Sequence, residues 1–138
     1  MIVIAIVGIL ASIAMPSYRD YVRKSNMAEV VTLVDSMRKK AMAHYNETGS
    51  WPADSAAGLA VLGVTAQTDF ATDTIERAHL ADRRGIGQVY VRVNESAFGV
   101  NEWIRFNMQD TGTMITGSFC HPDDPTAATL TAYLPDSC

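Results

Sequence analysis

The first fifteen residues of the chain form an uninterrupted apolar segment. Residues 1–15 carry no charge, and Ser12 is the only polar side chain among them. As a helix the segment is about 22 Å long, whereas the hydrocarbon core of a bilayer is about 30 Å thick. Three interpretations fit: the apolar region of a secretory signal, a membrane anchor lacking its first residues, or a helix buried in an assembly. A secretory signal is disfavoured because no basic region precedes the segment, and the sequence PSYR follows where small residues are expected.

The apolar segment continues into a second helical pattern. Apolar positions between residues 17 and 45 recur at intervals of three and four, as on one face of an amphipathic helix. Gly49 stands where a C-terminal cap is expected, and Pro52 prevents continuation. The pattern predicts a single helix of about 48 residues, about 70 Å long. Its predicted apolar face consists of Met27, Val30, Val31, Leu33, Val34, Met37, Ala41 and Tyr45.

This helix is much longer than the rest of the molecule is wide. A globule of 138 residues has a radius of gyration of about 14 Å, so about half of the helix must protrude. The protruding half is the apolar one, and exposure of each large aliphatic side chain to water costs about 1.5–3 kcal/mol. We therefore expect residues 1–26 to lie in lipid or in a bundle of identical helices, and residues 27–138 to form a globular head. The side chains predicted to line the membrane or filament core are Ile2, Val3, Ile4, Ile6, Val7, Ile9, Leu10 and Ile13.

Two kinds of position inside the apolar segment have predicted roles of their own. Gly8 is a weak helix former and Pro16 removes a backbone hydrogen bond, so the helix can open between them. The alternative is that the helix is only kinked at this stretch and does not open. Helices in lipid approach closely where side chains are small, and the residues predicted to allow such contact are Gly8, Ala11, Ser12 and Ala14.

The C-terminal part of the chain contains strand patterns. Val89, Val91 and Val93 alternate with polar residues, which predicts a strand with one apolar face. Further strands are predicted at 100–108, at 113–119 after an Asp-Thr-Gly turn and, as a candidate, at 129–134. The sheet is expected to be antiparallel with three or four strands.

Residues 53–87 are predicted to form a connector over the surface, with short helical turns at 56–64 and 74–81. A sheet with one apolar face needs a cover, and the only long amphipathic element is the helix at residues 27–45. The predicted fold class is therefore α+β, with the C-terminal half of the long helix packed on the sheet.

Charge is distributed unevenly along the chain. Residues 1–48 contain six Lys/Arg and four Asp/Glu, and residues 49–138 contain five and eleven, so the net charges are +2 and −6. An acidic head has no general attraction for nucleic acid or anionic lipid. Nucleic acid is therefore not expected as a stable partner.

No constellation of residues predicts catalysis. His44, His79 and His121 are isolated in the sequence, and no Ser or Cys stands in a nucleophile motif such as G-x-S-x-G. Asp123 and Asp124 are adjacent, but a calcium ion needs six to eight oxygen ligands. We expect no enzyme activity, no cofactor and no bound metal.

Cys120 and Cys138 are the two cysteines of the chain. Two thiols cannot complete a structural zinc site alone. Because the other end of the chain is typical of a membrane-targeted protein, a disulfide formed in an oxidising compartment is the favoured interpretation. Two unrelated free thiols are the alternative.

The sequence MIVIAIVGILASIAMPSYRDYVRKS resembles the N-terminal segment of type IV pilins and of the related type II secretion pseudopilins. YNETGSWP, at residues 45–52, resembles the Tyr-x-x-Thr/Asn-Gly-x-Tyr/Trp-Pro motif that closes the helix in many members. The cysteine pair is similar to the disulfide-bounded loop of the pilin head. Family members normally begin with an N-methylated Phe followed by Thr-Leu-Ile-Glu, so we expect that about six residues are missing before Met1.

The resemblance implies the pilin fold and a structural function. Subunits would wait in the inner membrane with the head outside the cytoplasm, and an ATP-driven assembly machinery would extrude them as an extracellular pilus, a helical homo-oligomer. Adhesion, twitching motility or DNA uptake would be the outcome, and the stretch from Gly8 to Pro16 would lose helical order in the filament. Two alternatives stay open: a type II secretion pseudopilin, disfavoured by the cysteine pair, and a monomeric membrane-anchored extracytoplasmic binding protein.

Overall fold

A computed structural model of the chain describes residues 2–110, 115–116, 120–122 and 128–134, with side chains for 2–108 and 130–134. In the described part, a long helix is followed by a sheet, three short α-helices and a 3-10 helix at Gln67–Phe70. The helices are α1 Ile2–Thr48, α2 Ala56–Leu62, α3 Glu95–Phe98 and α4 Ala128–Thr131. The strands are β1 Ile75–Arg83, β2 Ile86–Val93, β3 Trp103–Asp110, β4 Ile115–Thr116 and β5 Cys120–Pro122.

The C-terminal end of α1 lies where the sequence predicts it. Gly49 adopts a left-handed conformation at φ 72°, and its N–H donates to the carbonyl of Tyr45 at 2.7 Å. The Tyr45 ring stacks on the Trp51 ring at 4.3 Å. The Trp51 indole Nε1–H then donates to the carbonyl of Gly85 at 3.1 Å. The motif that ends the helix therefore also fixes the helix end to the turn between β1 and β2.

The second half of α1 covers one face of the sheet, which confirms the predicted α+β fold. Its buried residues recur at intervals of three and four, as an amphipathic helix requires. Val31, which was predicted on the apolar face, is only half-buried, because the buried line passes through Val30 instead. The buried residues are Met27, Val30, Val34, Met37 and Ala41.

The sheet is antiparallel, with the order β1-β2-β3-β4, and β5 pairs with β3 beside β4. Ala78 lies opposite Val91, and Val91 lies opposite Ile104. These three side chains are fully buried on the face that α1 covers. Val89 and Val93 are buried on the same face, as the predicted alternation of β2 requires, but Gln88 and Tyr90 on the opposite face are buried as well.

The expectation of helical turns at 74–81 is wrong, because residues 75–81 belong to β1. The register shifts between Ile75 and Arg77, where a β-bulge interrupts the pairing with β2. A bulge adds one residue to one strand and breaks the period-two alternation. The apolar residues of β1 therefore lack the spacing by which a strand is recognised in a sequence.

The candidate strand at 129–134 is also wrong, because Ala128–Thr131 is a helical turn. This turn buries Leu130 completely, while Ala132 is exposed. Of the strand predicted at 113–119, the structure describes β4, and the other residues of that range lie outside the described part. The helical turn predicted at 56–64 is confirmed by α2.

Candidate assembly surface

The first half of α1 is exposed along its whole apolar segment. By length and composition, α1 is long and apolar enough to cross a membrane, and its most apolar window is not buried in the protein. Every large aliphatic side chain predicted to line the membrane or filament core is 52–77% exposed. These residues are Ile2, Val3, Ile4, Ile6, Val7, Ile9, Leu10 and Ile13.

An exposed surface of this size has a large energetic consequence. Burial of eight aliphatic side chains stabilises by on the order of 10 kcal/mol. This is comparable to the whole free energy of unfolding of a small domain, about 5–15 kcal/mol. The head offers no cover, since Met27 is the first buried residue of the helix. A cover must come from lipid or from another apolar surface.

The small and polar residues of this segment lie on the part of α1 that precedes its first buried residue, Met27. A Cβ added at Gly8 would meet nothing within 4 Å. The Ser12 hydroxyl donates to the carbonyl of Ile9 at 2.7 Å, so it is satisfied inside the helix. The helix continues through Pro16, although proline has no N–H for the carbonyl four residues earlier. Ser12 and Ala14 are exposed and Ala11 is half-buried, and their contact with a neighbouring helix stays a prediction.

Polar contacts join the middle of α1 to the head. Arg23 Nη1 donates to the Tyr133 hydroxyl at 2.9 Å, and that hydroxyl donates to Asp20 Oδ1 at 3.0 Å. The Arg23 guanidinium also lies 5.6 Å from the centre of the Tyr133 ring. Gly99 leaves room for the Arg23 guanidinium, since a Cβ at residue 99 would lie 3.0 Å from Arg23 Nη2. We call Asp20, Arg23 and Tyr133 the neck cluster, and it fixes the direction in which α1 leaves the head.

The sequence did not predict the neck cluster. Arg23 and Asp20 look like ordinary residues of a polar helix face, and Tyr133 lies 110 positions after Arg23. Beside the cluster, an open groove of about 300 Å³ lies between α1 and α3. It is lined by Tyr18, Arg19, Val22, Arg23, Glu95, Ser96, Ala97 and Gly99.

The histidines and cysteines do not form a site in the described part of the chain. His44 Nδ1 lies 3.1 Å from the carbonyl of Ser50, at the end of α1. His79 lies on β1, where burial lowers its pKa. The side chains of His121 and Cys120, and the whole of Cys138, lie outside the described residues, so the disulfide stays a prediction. Among the described residues, no three His, Cys, Asp or Glu side chains are grouped to hold a metal ion.

Comparisons with known proteins agree with this architecture. A model of the family described as pilin (bacterial filament) matches residues 23–138. The fimbrial protein EcpC of Eikenella corrodens is 35% identical over 138 residues, which is 100% of this chain and 84% of that protein.

Other relatives match shorter segments. The type IV major pilin protein PilE1 of Neisseria gonorrhoeae is 42% identical over 60 residues, 44% of this chain and 28% of that protein. A fimbrial protein of Moraxella nonliquefaciens is 53% identical over 38 residues, 28% of this chain and 25% of that protein. Because the family model matches most of the chain and one relative aligns along its whole length, the chain belongs to the pilin family of bacterial filament proteins.

Proposed function

We propose that this chain is a structural subunit of a type IV pilus and that it polymerises through the apolar half of α1. Membership of a family of structural filament proteins supports this function. The observation that carries the mechanism is the row of eight exposed aliphatic side chains, which the head leaves uncovered. In this proposal residues 1–26 form the membrane anchor and the filament core, and residues 27–138 form the head.

Before assembly, the apolar half of α1 would lie in the inner membrane with the head outside the cytoplasm. The pilus assembly machinery would then move each subunit from lipid into the filament. Lipid tails are about as apolar as leucine, so this transfer is driven by close packing rather than by the hydrophobic effect. Gly8, Ala11, Ser12 and Ala14 would permit that packing. The cell would use the extracellular filament for adhesion, twitching motility or DNA uptake.

The stretch from Gly8 to Pro16 is proposed to open when α1 enters the filament. The missing N–H at Pro16 leaves one carbonyl of the preceding turn without its usual donor. Opening there lengthens the chain between neighbouring subunits, so a filament under tension can extend. The proposed disulfide between Cys120 and Cys138 would form outside the cytoplasm, before assembly.

Electron microscopy of material sheared from cells tests the proposal. Extracellular fibres that contain this chain by mass spectrometry are expected. Short periplasmic filaments would instead favour the pseudopilin, and a water-soluble monomer of the full-length chain would contradict both functions.

A pair of variants tests the role of small residues. Ala14→Leu adds apolar volume at a proposed contact, so the chain should still enter the membrane while the pilus yield falls by at least about tenfold. Ile13→Leu keeps the side-chain volume one position away and should assemble normally. An equal yield from the two variants would contradict close packing at residue 14.

A further inference from the structure

The groove beside the neck cluster lies where the apolar part of α1 gives way to its polar part. The lining of the groove begins at Tyr18, three positions after Met15, the last residue of the apolar segment. The positions from Tyr18 to Arg23 lie about 5–12 Å beyond that segment along the helix axis. Each headgroup layer of a bilayer is about 5–8 Å thick. With the apolar segment in a membrane, the groove is therefore at the level of the lipid headgroups.

Two exposed tyrosines lie at the same level of α1. Tyr18 and Tyr21 are 70% and 73% exposed. Tyrosine is enriched where a membrane meets water, because its ring is apolar and its hydroxyl is polar. Side chains of a helix point toward its N-terminus, which is the membrane end of α1, so the exposed Arg19 extends toward the headgroups. The residues around the groove thus suit contact with the polar layer of a membrane.

Two guanidinium groups line the α1 side of the groove. Arg19 and Arg23 are four positions apart, so they share one face of the helix. Arg23 is held in place by the hydroxyl and the ring of Tyr133. In the part of the chain that the structure describes, the Arg19 side chain forms no hydrogen bond or ion pair. A guanidinium offers planar N–H donors that fit the oxygens of a phosphate, so the pair is suited to bind one.

A carboxylate lines the α3 side of the same groove. Glu95 is the first residue of α3, and it is exposed. Its carboxylate forms no ion pair or hydrogen bond with any residue that the structure describes, Arg19 and Arg23 included. Charges of opposite sign therefore line one groove without neutralising each other. A ligand that carries both signs of charge can pair with each of them.

We propose that this groove binds the headgroup of a phosphatidylethanolamine molecule, with the phosphate on Arg19 and Arg23 and the ammonium on Glu95. The inference rests on the membrane anchoring in the proposed function. A volume of about 300 Å³ is at the small end of ligand pockets, so it suits a headgroup rather than a whole lipid. Phosphatidylglycerol has no cation for Glu95, and the quaternary ammonium of phosphatidylcholine donates no hydrogen bond. The bound lipid would fix the height of the head above the bilayer, and extraction of the subunit would release it.

Native mass spectrometry of the full-length chain in detergent tests this selectivity. The chain is mixed with equal amounts of phosphatidylethanolamine, phosphatidylglycerol and phosphatidylcholine that carry the same acyl chains, and the lipid that stays bound is counted. Phosphatidylethanolamine should be retained about fivefold more than either of the others, the factor that corresponds to one exposed ion pair of about 1 kcal/mol. Its mono- and dimethylated forms, which lose N–H donors one by one, should be retained to an intermediate extent. Equal retention of the three lipids, or preferred retention of phosphatidylglycerol, would overturn the proposal.

Two variants with matched controls assign the two ends of the headgroup. Glu95→Gln should abolish the preference for phosphatidylethanolamine and leave the retention of phosphatidylcholine unchanged. Arg19→Gln should lower the retention of all three lipids alike, because each contains the phosphate. Glu29→Gln and Lys24→Gln remove the same charges from exposed positions of α1 outside the groove, and both should retain lipids as the wild type does. A Glu95→Gln variant that keeps the preference, or a Glu29→Gln variant that loses it equally, would contradict the proposal.

Three further measurements separate this inference from the proposed function. Thermal unfolding in detergent is the control for folding, and the methylated lipids test the wild type without any substitution. If the full-length chain enters vesicles of no composition, the membrane step of the proposed function fails, and this inference fails with it. If the chain enters vesicles but shows no lipid preference, this inference alone fails. If Arg19→Gln or Glu95→Gln lowers the pilus yield while the retained lipid is unchanged, the groove binds a second copy of the chain, and the proposal is wrong.

Discussion

Trp51 offers the sharpest test of how the long helix is fixed to the head. Its side chain is 4% exposed, its ring stacks on Tyr45 at 4.3 Å, and its indole N–H donates to Gly85 at 3.1 Å. Trp51→Phe keeps a ring but removes the hydrogen bond, which should cost about 1 kcal/mol in addition to the lost contact area. Trp51→Ala removes the whole side chain and should cost about 3–5 kcal/mol.

Thermal unfolding of the full-length chain in detergent, followed by near-ultraviolet circular dichroism, measures these losses. For a head of this size each kcal/mol lowers Tm by about 4 °C. Trp51→Ala should therefore unfold more than about 12 °C below the wild type, and Trp51→Phe about 4–8 °C below it. Trp103→Ala is the matched control, because Trp103 is only half-buried and should lose less than half as much. A Trp51→Ala variant as stable as Trp103→Ala would refute the reasoning.

Three other variants have defined outcomes. Tyr133→Phe removes the hydroxyl that bonds to Arg23 and should lower the free energy of unfolding by about 1–2 kcal/mol. Urea unfolding in detergent measures this loss, and an unchanged free energy would show that the neck cluster does not stabilise the fold. Gly87→Ala places a Cβ against the Trp51 ring. This overpacking should lower the free energy of unfolding by about 1–3 kcal/mol, so Tm should fall by several degrees. A Tm at or above the wild-type value would show that the ring can move aside. Burial lowers the pKa of His79, so the folded state favours the neutral imidazole ring. The stability that this preference contributes is fully present above pH 6.5 and should be lost as the pH falls through the folded-state pKa. His79→Gln should reduce this loss of stability between pH 7 and 5. An unchanged dependence of the free energy of unfolding on pH would show that His79 does not cause the loss.

The charged groups around His79 oppose one another. Asp54 Oδ2 lies 3.9 Å from His79 Nε2 and raises its pKa, whereas Arg77 and Arg83 lower it. The Tyr90 ring stacks on the imidazole at 5.1 Å. Burial is the largest of these influences, which fixes the direction of the expected pH dependence. Asp54→Asn should therefore increase the loss of stability at acidic pH, in the same urea titration.

The long helix was predictable because its signals are local. Apolar residues at intervals of three and four depend only on near neighbours in the sequence, and Gly49 marks the end of the helix by its own conformation. β1 could not be predicted in the same way. Its bulge between Ile75 and Arg77 removes the alternation that identifies a strand, and pairing with β2 decides its conformation instead.

Contacts between distant parts of the chain were not predictable from the sequence. Arg77 lies opposite Arg92, and Arg92 lies opposite Trp103, only because β2 lies between β1 and β3, and the sequence does not reveal that register. The neck cluster likewise joins Arg23 to Tyr133, across 110 positions. The sequence does identify the apolar surface, since its lack of cover follows from the length of the helix alone.

The empty space around Gly8 has a genetic consequence. A Cβ added there meets nothing within 4 Å, so a Gly8→Leu subunit should fold, escape proteolysis and reach the membrane like its normal counterpart. Its defect would arise only when it joins other copies. In a cell that makes both forms, defective molecules would enter a growing polymer and stop it, so a minority of mutant protein would suppress the phenotype of the intact allele. A dominant phenotype is thus the expected inheritance pattern for substitutions on this part of α1, whereas substitutions that destabilise the head should be recessive.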